Sequence, residues 1–308
     1  MPSVDDLVVQ ALDQLVPGGV RRGELRRENR TLRWVEAGSG RPAVVLDAAV
    51  GEPGSLAWAG LMPLVVPRAR VVAYDRAGIG ASDPVSPLTL AAQVGDLAAV
   101  ARAAGGHCVL AGHSWGALLA QLVALSHPGL AAGLVLVDPA EEEFLAVLPP
   151  DQCRQEIASA QIIMDRYADG TLPELVRDMF RSFALRLTAD EQLRTLILDA
   201  YVSCYARQSQ ARMVGDEKRL IFGSLPLVRQ SRADGTLPDV PVVVFSATTG
   251  RSREQRETWT GLNAKLAASV PRGTHIALAD TSHATNQERP AEIAEAVNRI
   301  IDEIRLHP

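Results

Sequence analysis

At 308 residues with 47% hydrophobic side chains, the chain can form one large domain or two small ones around a substantial core. Thirty-one basic against thirty-six acidic side chains give a formal charge of −5, which argues against a nucleic-acid or polyanion partner. No apolar run nears the roughly 18 to 20 residues of a membrane span, and the N-terminal stretch with Asp5, Asp6 and Asp13 does not read as a secretory signal. Cys108, Cys153 and Cys204 are too scattered for a disulfide framework or a zinc site, so a reducing, cytoplasmic setting is the expectation.

In chain order, apolar residues at 4, 7, 8, 11, 12, 15 and 16 recur at helical spacing, and Pro17-Gly18-Gly19 stops that helix. Residues 24–37 are polar and alternating, which suits an antiparallel strand pair at a sheet edge. The rhythm then changes to short continuous apolar runs at 43–46, 69–74, 108–111, 133–137, 240–246 and 275–279. Strands apolar on both faces belong to a parallel sheet covered on each side by helices. The intervening helices are clearest at 88–104 and 117–125, the second stopped by His127-Pro128-Gly129. This alternation predicts a doubly wound α/β fold. Residues 140–239 break it, with helical patterns at 150–167, 172–185 and 189–210 punctuated by Gly170, Pro173 and Gly215. The expected organisation is a core of 1–139 and 240–308, interrupted by an all-helical insertion over 140–239.

Cys108-Val109-Leu110-Ala111-Gly112-His113-Ser114-Trp115-Gly116-Ala117 reads as a strand, a Gly-X-Ser-X-Gly turn and a helix. The chain must turn sharply while holding one side chain up at the sheet's carboxyl edge. Gly112 and Gly116 remove the Cβ atoms that would collide there, and the helix N-terminus beside Ser114 favours negative charge. Ser114 is the candidate nucleophile.

With this turn the chain resembles the α/β-hydrolase superfamily, over most of its length. Residues 71–83, 133–138 and the Ser282-His283 pair before Glu288-Arg289-Pro290 resemble further segments of that family. The resemblance implies a mostly parallel doubly wound sheet of the α/β-hydrolase type, with the helical insertion as its cap. It also implies His283, just past the last core strand, as general base and acid. The other histidines (His107, His113, His127, His275 and His307) are assigned structural roles; His113, on so tight a turn, is expected to point elsewhere.

The acid that orients the imidazole usually follows the strand read at 242–245, but no Asp or Glu occurs there before Glu254. Asp138, at the end of its own strand, resembles an alternative acid position used by some family members. Glu254 and Glu257 remain alternatives, and Asp138 could instead be a turn cap before Pro139. Asp75 is expected to order its loop through Arg76. For the oxyanion hole the expected donors are the backbone N–H groups of Trp115 and Ala49, with Val50 one residue away. Family members commonly carry His-Gly where this chain reads Asp47-Ala48.

The predicted reaction is hydrolysis of a small-molecule carboxylic ester, lactone or thioester through an acyl-enzyme on Ser114. Amide or carbon–carbon cleavage, cofactor-free perhydrolysis and a hydrolase-like ligand receptor are the alternatives. Haloalkane dehalogenases and related epoxide hydrolases use a carboxylate nucleophile where this chain has serine. The third glycine of a dinucleotide fingerprint, a Walker lysine and a metal-binding His-Glu-X-X-His helix are all missing, so no cofactor and no metal are expected. Val50, Trp58, Met164 and Phe183 are the candidate substrate contacts, although helix packing explains Trp58 equally well. The arginine-rich stretch 251–256 reads as a solvated face. With aromatics at 4%, the pocket is expected to be mainly aliphatic.

Overall fold

The computed structural model describes residues 3–306. Ser3 caps α1 (Val4–Leu15) reciprocally with Asp6, each side chain accepting from the other's backbone amide. An arginine-rich hairpin follows, β1 (Arg21–Arg27) and β2 (Arg30–Ala37), antiparallel as its alternation predicts. The charges along β1 protect that sheet edge from pairing with other chains. Next come β3 (Val44–Asp47), the single-turn helices α2 (Gly54–Ala57) and α3 (Met62–Val65), and β4 (Val71–Asp75). Then α4 (Leu90–Ala103), β5 (Cys108–His113), α5 (Trp115–Ser126) and β6 (Ala131–Val137) complete the first run of alternating units.

The chain then stays helical through α6 (Glu142–Ala146), α7 (Pro150–Asp169), α8 (Leu172–Leu187), α9 (Glu191–Tyr205) and α10 (Gln208–Asp234). It closes with β7 (Val242–Ala247), α11 (Arg253–Ala268), β8 (Gly273–Leu278), α12 (Thr285–Glu288) and α13 (Pro290–Leu306). The sheet order is β1-β2-β4-β3-β5-β6-β7-β8, with β1 and β2 antiparallel and every pairing from β4 to β8 parallel.

Every residue of β3 to β7 is buried, which is why these strands read as unbroken apolar runs. Because side chains alternate along a strand, each strand feeds two cores. Val44, Leu46, Val109 and Val135 face one of them, with α1, α8, α9 and α13. Val45, Leu110, Leu134 and Val242 face the other, with α4, α5 and α10. Burying each such side chain is worth roughly 1.5–3 kcal/mol, which makes the sheet a stiff platform for its carboxyl edge.

Two expectations for the helical stretch need correction. The pattern at 189–210 is two helices, broken where Arg207 takes an extended conformation (φ −80°, ψ 128°). Gly215 does not interrupt α10, which runs through both it and Pro226. Buried contacts of α10 outweigh the local cost of roughly 1 kcal/mol for an interior glycine and roughly 3 kcal/mol for an interior proline. His307 lies outside the described residues.

Candidate active site

Parallel strands deliver their carboxyl ends to one edge, and the loops after β3, β5, β6 and β8 meet there. Ser114 sits between β5 and α5 at φ 52°, ψ −112°, a strained left-handed conformation for a residue with a Cβ. Its amide donates to the Val137 carbonyl (2.9 Å), and its carbonyl accepts from Ala140 (3.0 Å). A Cβ on Gly112 would strike the backbone of Gly116 and Ala117. One on Gly116 would lie 2.6 Å from the carbonyl oxygens of both Asp47 and Ala48. Both glycines are therefore required by close backbone approach.

The His283 Nε2 lies 2.9 Å from the Ser114 Oγ, and its Nδ1 lies 2.5 Å from the Asp138 Oδ2. The sequence-expected serine, histidine and acid thus form one hydrogen-bonded chain. Asp138 follows β6 at φ 42° and is fully buried. Its Oδ1 accepts from the Ala247 amide (2.9 Å) and the Trp259 indole (2.6 Å), and Arg251 approaches Oδ2 at 3.3 Å. Burial pushes this carboxyl up, but the His283 hydrogen bond, the Arg251 charge and the Ala247 amide outweigh it and hold it below the usual range. Glu254 and Glu257 are exposed on α11, where Glu257 pairs with Arg253 instead.

The histidine loop is fixed by its own contacts. Glu288 accepts from the Ser282 amide (2.8 Å) and hydroxyl (2.7 Å), and Asn286 donates to the Ala57 carbonyl (3.0 Å). His113, expected to point elsewhere, instead brings its Nε2 within 2.7 Å of the His283 carbonyl, with the two rings 5.0 Å apart. A carbonyl can only accept, so Nε2 carries the proton. Burial pushes the His113 imidazole down to about 3, aided by His283, which keeps it neutral in this role. His275 lies inside β8 and meets the Ser246 hydroxyl at 2.9 Å.

On the opposite side of Ser114 runs the loop after β3. The Gly116 amide donates to the Ala48 carbonyl (3.1 Å), docking the start of α5 against this loop. The Trp115 amide, at the first position of α5, has no intrahelical acceptor. Asp47 is buried and pairs with Arg76 at 2.6 Å. Burial pushes its carboxyl up, and Arg76 opposes that shift. Asp75 does not act through Arg76 as expected. It accepts from the Ser55 and Ala81 amides, both at 2.9 Å.

Three readings of individual side chains change. Arg251 is not simply solvated: its guanidinium faces the acid and lies 4.1 Å from the Trp259 ring centroid. Trp58 (0% exposed) and Phe183 (1%) have essentially no accessible surface and so line no open pocket; they pack the core. The Trp115 ring is equally buried and donates to Gln93 at 2.7 Å. Met164 is half-buried against the Phe183 core, and Val50 is half-buried on the loop after β3. Glu52, on that same loop, went unnoticed in sequence. It accepts from Gln287 of α12 at 2.9 Å, and burial pushes its carboxyl up to about 7.

Among the described residues, no group of three or more His, Cys, Asp or Glu side chains is arranged to hold a metal ion. No helix among them is long and apolar enough to cross a membrane.

Solved structures share this architecture. Cfl2 of Burkholderia cenocepacia superposes with a TM-score of 0.74 at 24% identity, covering 92% of this chain and 96% of that one. Epoxide hydrolase VrEH1 of Vigna radiata gives a TM-score of 0.72 at 18% identity, covering 92% and 98%. At these identities the likeness is one of fold. In sequence, 130 residues are 35% identical to part of polyketide synthase ThaQ of Burkholderia thailandensis, covering 41% of this chain and 6% of that much longer one. A family model described as Alpha/beta hydrolase family matches residues 15–296, nearly the whole chain. With that match and the eight-stranded, mostly parallel sheet, the chain belongs to the alpha/beta hydrolase family.

Proposed function

We propose that the protein is a serine hydrolase that cleaves a small carboxylic ester, lactone or thioester. The observation that carries this reading is the hydrogen-bonded chain from the Ser114 Oγ through His283 to Asp138. A serine hydroxyl becomes a nucleophile when a neighbouring base removes its proton, and the His283 Nε2 is within reach. As Ser114 attacks the carbonyl, His283 becomes an imidazolium that the buried Asp138 carboxylate stabilises and orients. The carbonyl oxygen gains negative charge, for which the Trp115 amide and the Ala49 or Val50 amide are the proposed donors. His283 then protonates the leaving group, and the acyl-enzyme forms. Water activated by the same imidazole hydrolyses it and restores Ser114.

The helical stretch 140–239 is proposed as a cap over this edge, with 1–139 and 240–308 as the hydrolase core. The His283 side chain is 48% exposed, so small acyl groups can reach the reacting atoms. A panel of p-nitrophenyl esters of increasing acyl length, with lactones beside it, tests the reading. Turnover is expected in the wild type, with a loss of at least about 10³-fold in Ser114→Ala. Equal rates in both proteins would refute it, and wild-type binding without turnover would favour a receptor.

A further inference from the structure

Between α10 and the loop after β3 lies a buried polar network that the proposed chemistry does not use directly. Glu217 and Gln210, both on α10, are fully buried, and Arg76 after β4 is 2% exposed. The Glu217 Oε1 accepts from the Arg76 Nε (2.7 Å) and from Gln93 (2.6 Å). Its Oε2 accepts from the Arg76 Nη2 (2.8 Å) and from the Gly51 amide (2.7 Å). Arg76 in turn donates to the Asp47 carboxylate, the Ala48 carbonyl (2.7 Å) and the Ala49 carbonyl (2.6 Å). Gln210 donates to the Gly51 carbonyl at 2.6 Å and accepts from the Gly80 amide at 2.7 Å.

In a trans peptide the C=O and N–H bonds point in opposite directions. The Ala48 carbonyl shares a peptide with the Ala49 N–H, and the Ala49 carbonyl shares one with the Val50 N–H. When Arg76 draws both carbonyls toward itself, it turns both N–H groups away, leaving them free of the buried network. Gln93, which holds Glu217, also accepts from the Trp115 indole, so the same network grips the residue that supplies the other proposed donor. Packing α10 would not by itself call for a buried ionic cluster, since apolar side chains of similar size do that at no desolvation cost.

We propose that Glu217 is a positioning residue for the oxyanion site, fixing through Arg76 and the Gly51 amide the direction of the Ala49 and Val50 N–H groups. This rests on the serine-hydrolase reading and adds to it that α10 is part of the reactive frame, not of a moving lid. Burial would drive Arg76 toward neutrality, but Glu217 and Asp47 outweigh it and keep the guanidinium charged.

The test compares Glu217→Gln and Glu217→Ala with Asp96→Asn, which weakens a similarly buried arginine pair (Arg30 to Asp96, 2.7 Å) whose carboxylate bonds arginines of the β1–β2 hairpin and not this loop. With p-nitrophenyl butyrate, both Glu217 variants are expected to lose about 10- to 100-fold in kcat, with KM changed less than about threefold. Asp96→Asn should keep the wild-type kcat. In the wild type, a fluorophosphonate adduct on Ser114 should slow hydrogen exchange of the Trp115 amide and of the Ala49 or Val50 amide. In Glu217→Gln the protection at 49–50 should weaken while that at Trp115 stays. A Glu217→Gln protein with kcat within about twofold of wild type and full protection at 49–50 would overturn the proposal. So would an equal loss of kcat in Asp96→Asn. Failure of the wild type to form the adduct would remove the serine-hydrolase reading itself, and this inference with it.

Discussion

Asp138 is contacted by His283, Trp259, Arg251 and the Ala247 amide, and these four partners come from three different segments of chain. A carboxylate so held stays ionised and cannot rotate, which is what an imidazole needs from its orienting partner. Asp138→Asn keeps the shape but reverses part of the hydrogen bonding, and is expected to lower kcat by about 10³- to 10⁴-fold with little change in KM. A loss below about tenfold would return Glu254 to consideration. That Ser114, His283 and Asp138 would come together was legible from the Gly-X-Ser-X-Gly turn for the serine and from the family resemblance for the other two. His113, Arg251 and Trp259 were not, because their roles depend on contacts across 170, 113 and 121 residues. Glu52 shows a related gap: nothing in its sequence neighbours reveals a buried carboxyl. Its proton is released near 4.5 in the unfolded chain and near 7 in the folded one, so raising the pH between those values favours unfolding. Glu52→Gln removes that penalty. Its stability relative to wild type, from urea unfolding, should be unchanged at pH 4 and rise by about 3 kcal/mol by pH 8. A difference that stays flat with pH would contradict this account.

The β5–α5 turn is the element on which the site depends. Gly116 allows α5 to begin against the Asp47 and Ala48 carbonyls, and those atoms are backbone that no rotamer change can move aside. Gly116→Ala should therefore cost about 1–3 kcal/mol of stability and most of the proposed ester-cleaving activity, read together by thermal melting and kcat. A stable, fully active variant would mean the loop after β3 has freedom that the contacts deny. Strands β3 to β7 were readable as elements because burial on both faces makes them continuously apolar, and the Gly-X-Ser-X-Gly pattern reads without tertiary help. The α9–α10 boundary was not. Leu193, Ile197, Tyr201 and Cys204 lead on to Ala211 and Met213 at near-helical spacing, so the break at Arg207 leaves no periodic mark. Gly215 suggested an end that tertiary contacts override.

At the scale of the whole molecule, two cores on the faces of one sheet leave its carboxyl edge as the place where distant loops converge. Fold class followed from alternating strand and helix patterns, because that alternation is itself the architecture. The pocket wall did not follow, because helical spacing cannot tell a side chain that packs between helices from one that faces a ligand. Trp58, Trp115 and Phe183 proved to be packing, Trp259 holds the acid, and Phe180 stacks on Tyr201 with ring centroids 3.7 Å apart. The few aromatics named here are thus occupied in structure, which favours an aliphatic surface for the proposed substrate. The central claim is that Ser114 is a nucleophile activated by His283. Intact-mass and peptide-mapping measurement after exposure to a fluorophosphonate tests it most directly. The account predicts one adduct, on Ser114, absent in Ser114→Ala and formed far more slowly in His283→Ala; an unmodified wild type, or an adduct on another residue, would contradict it.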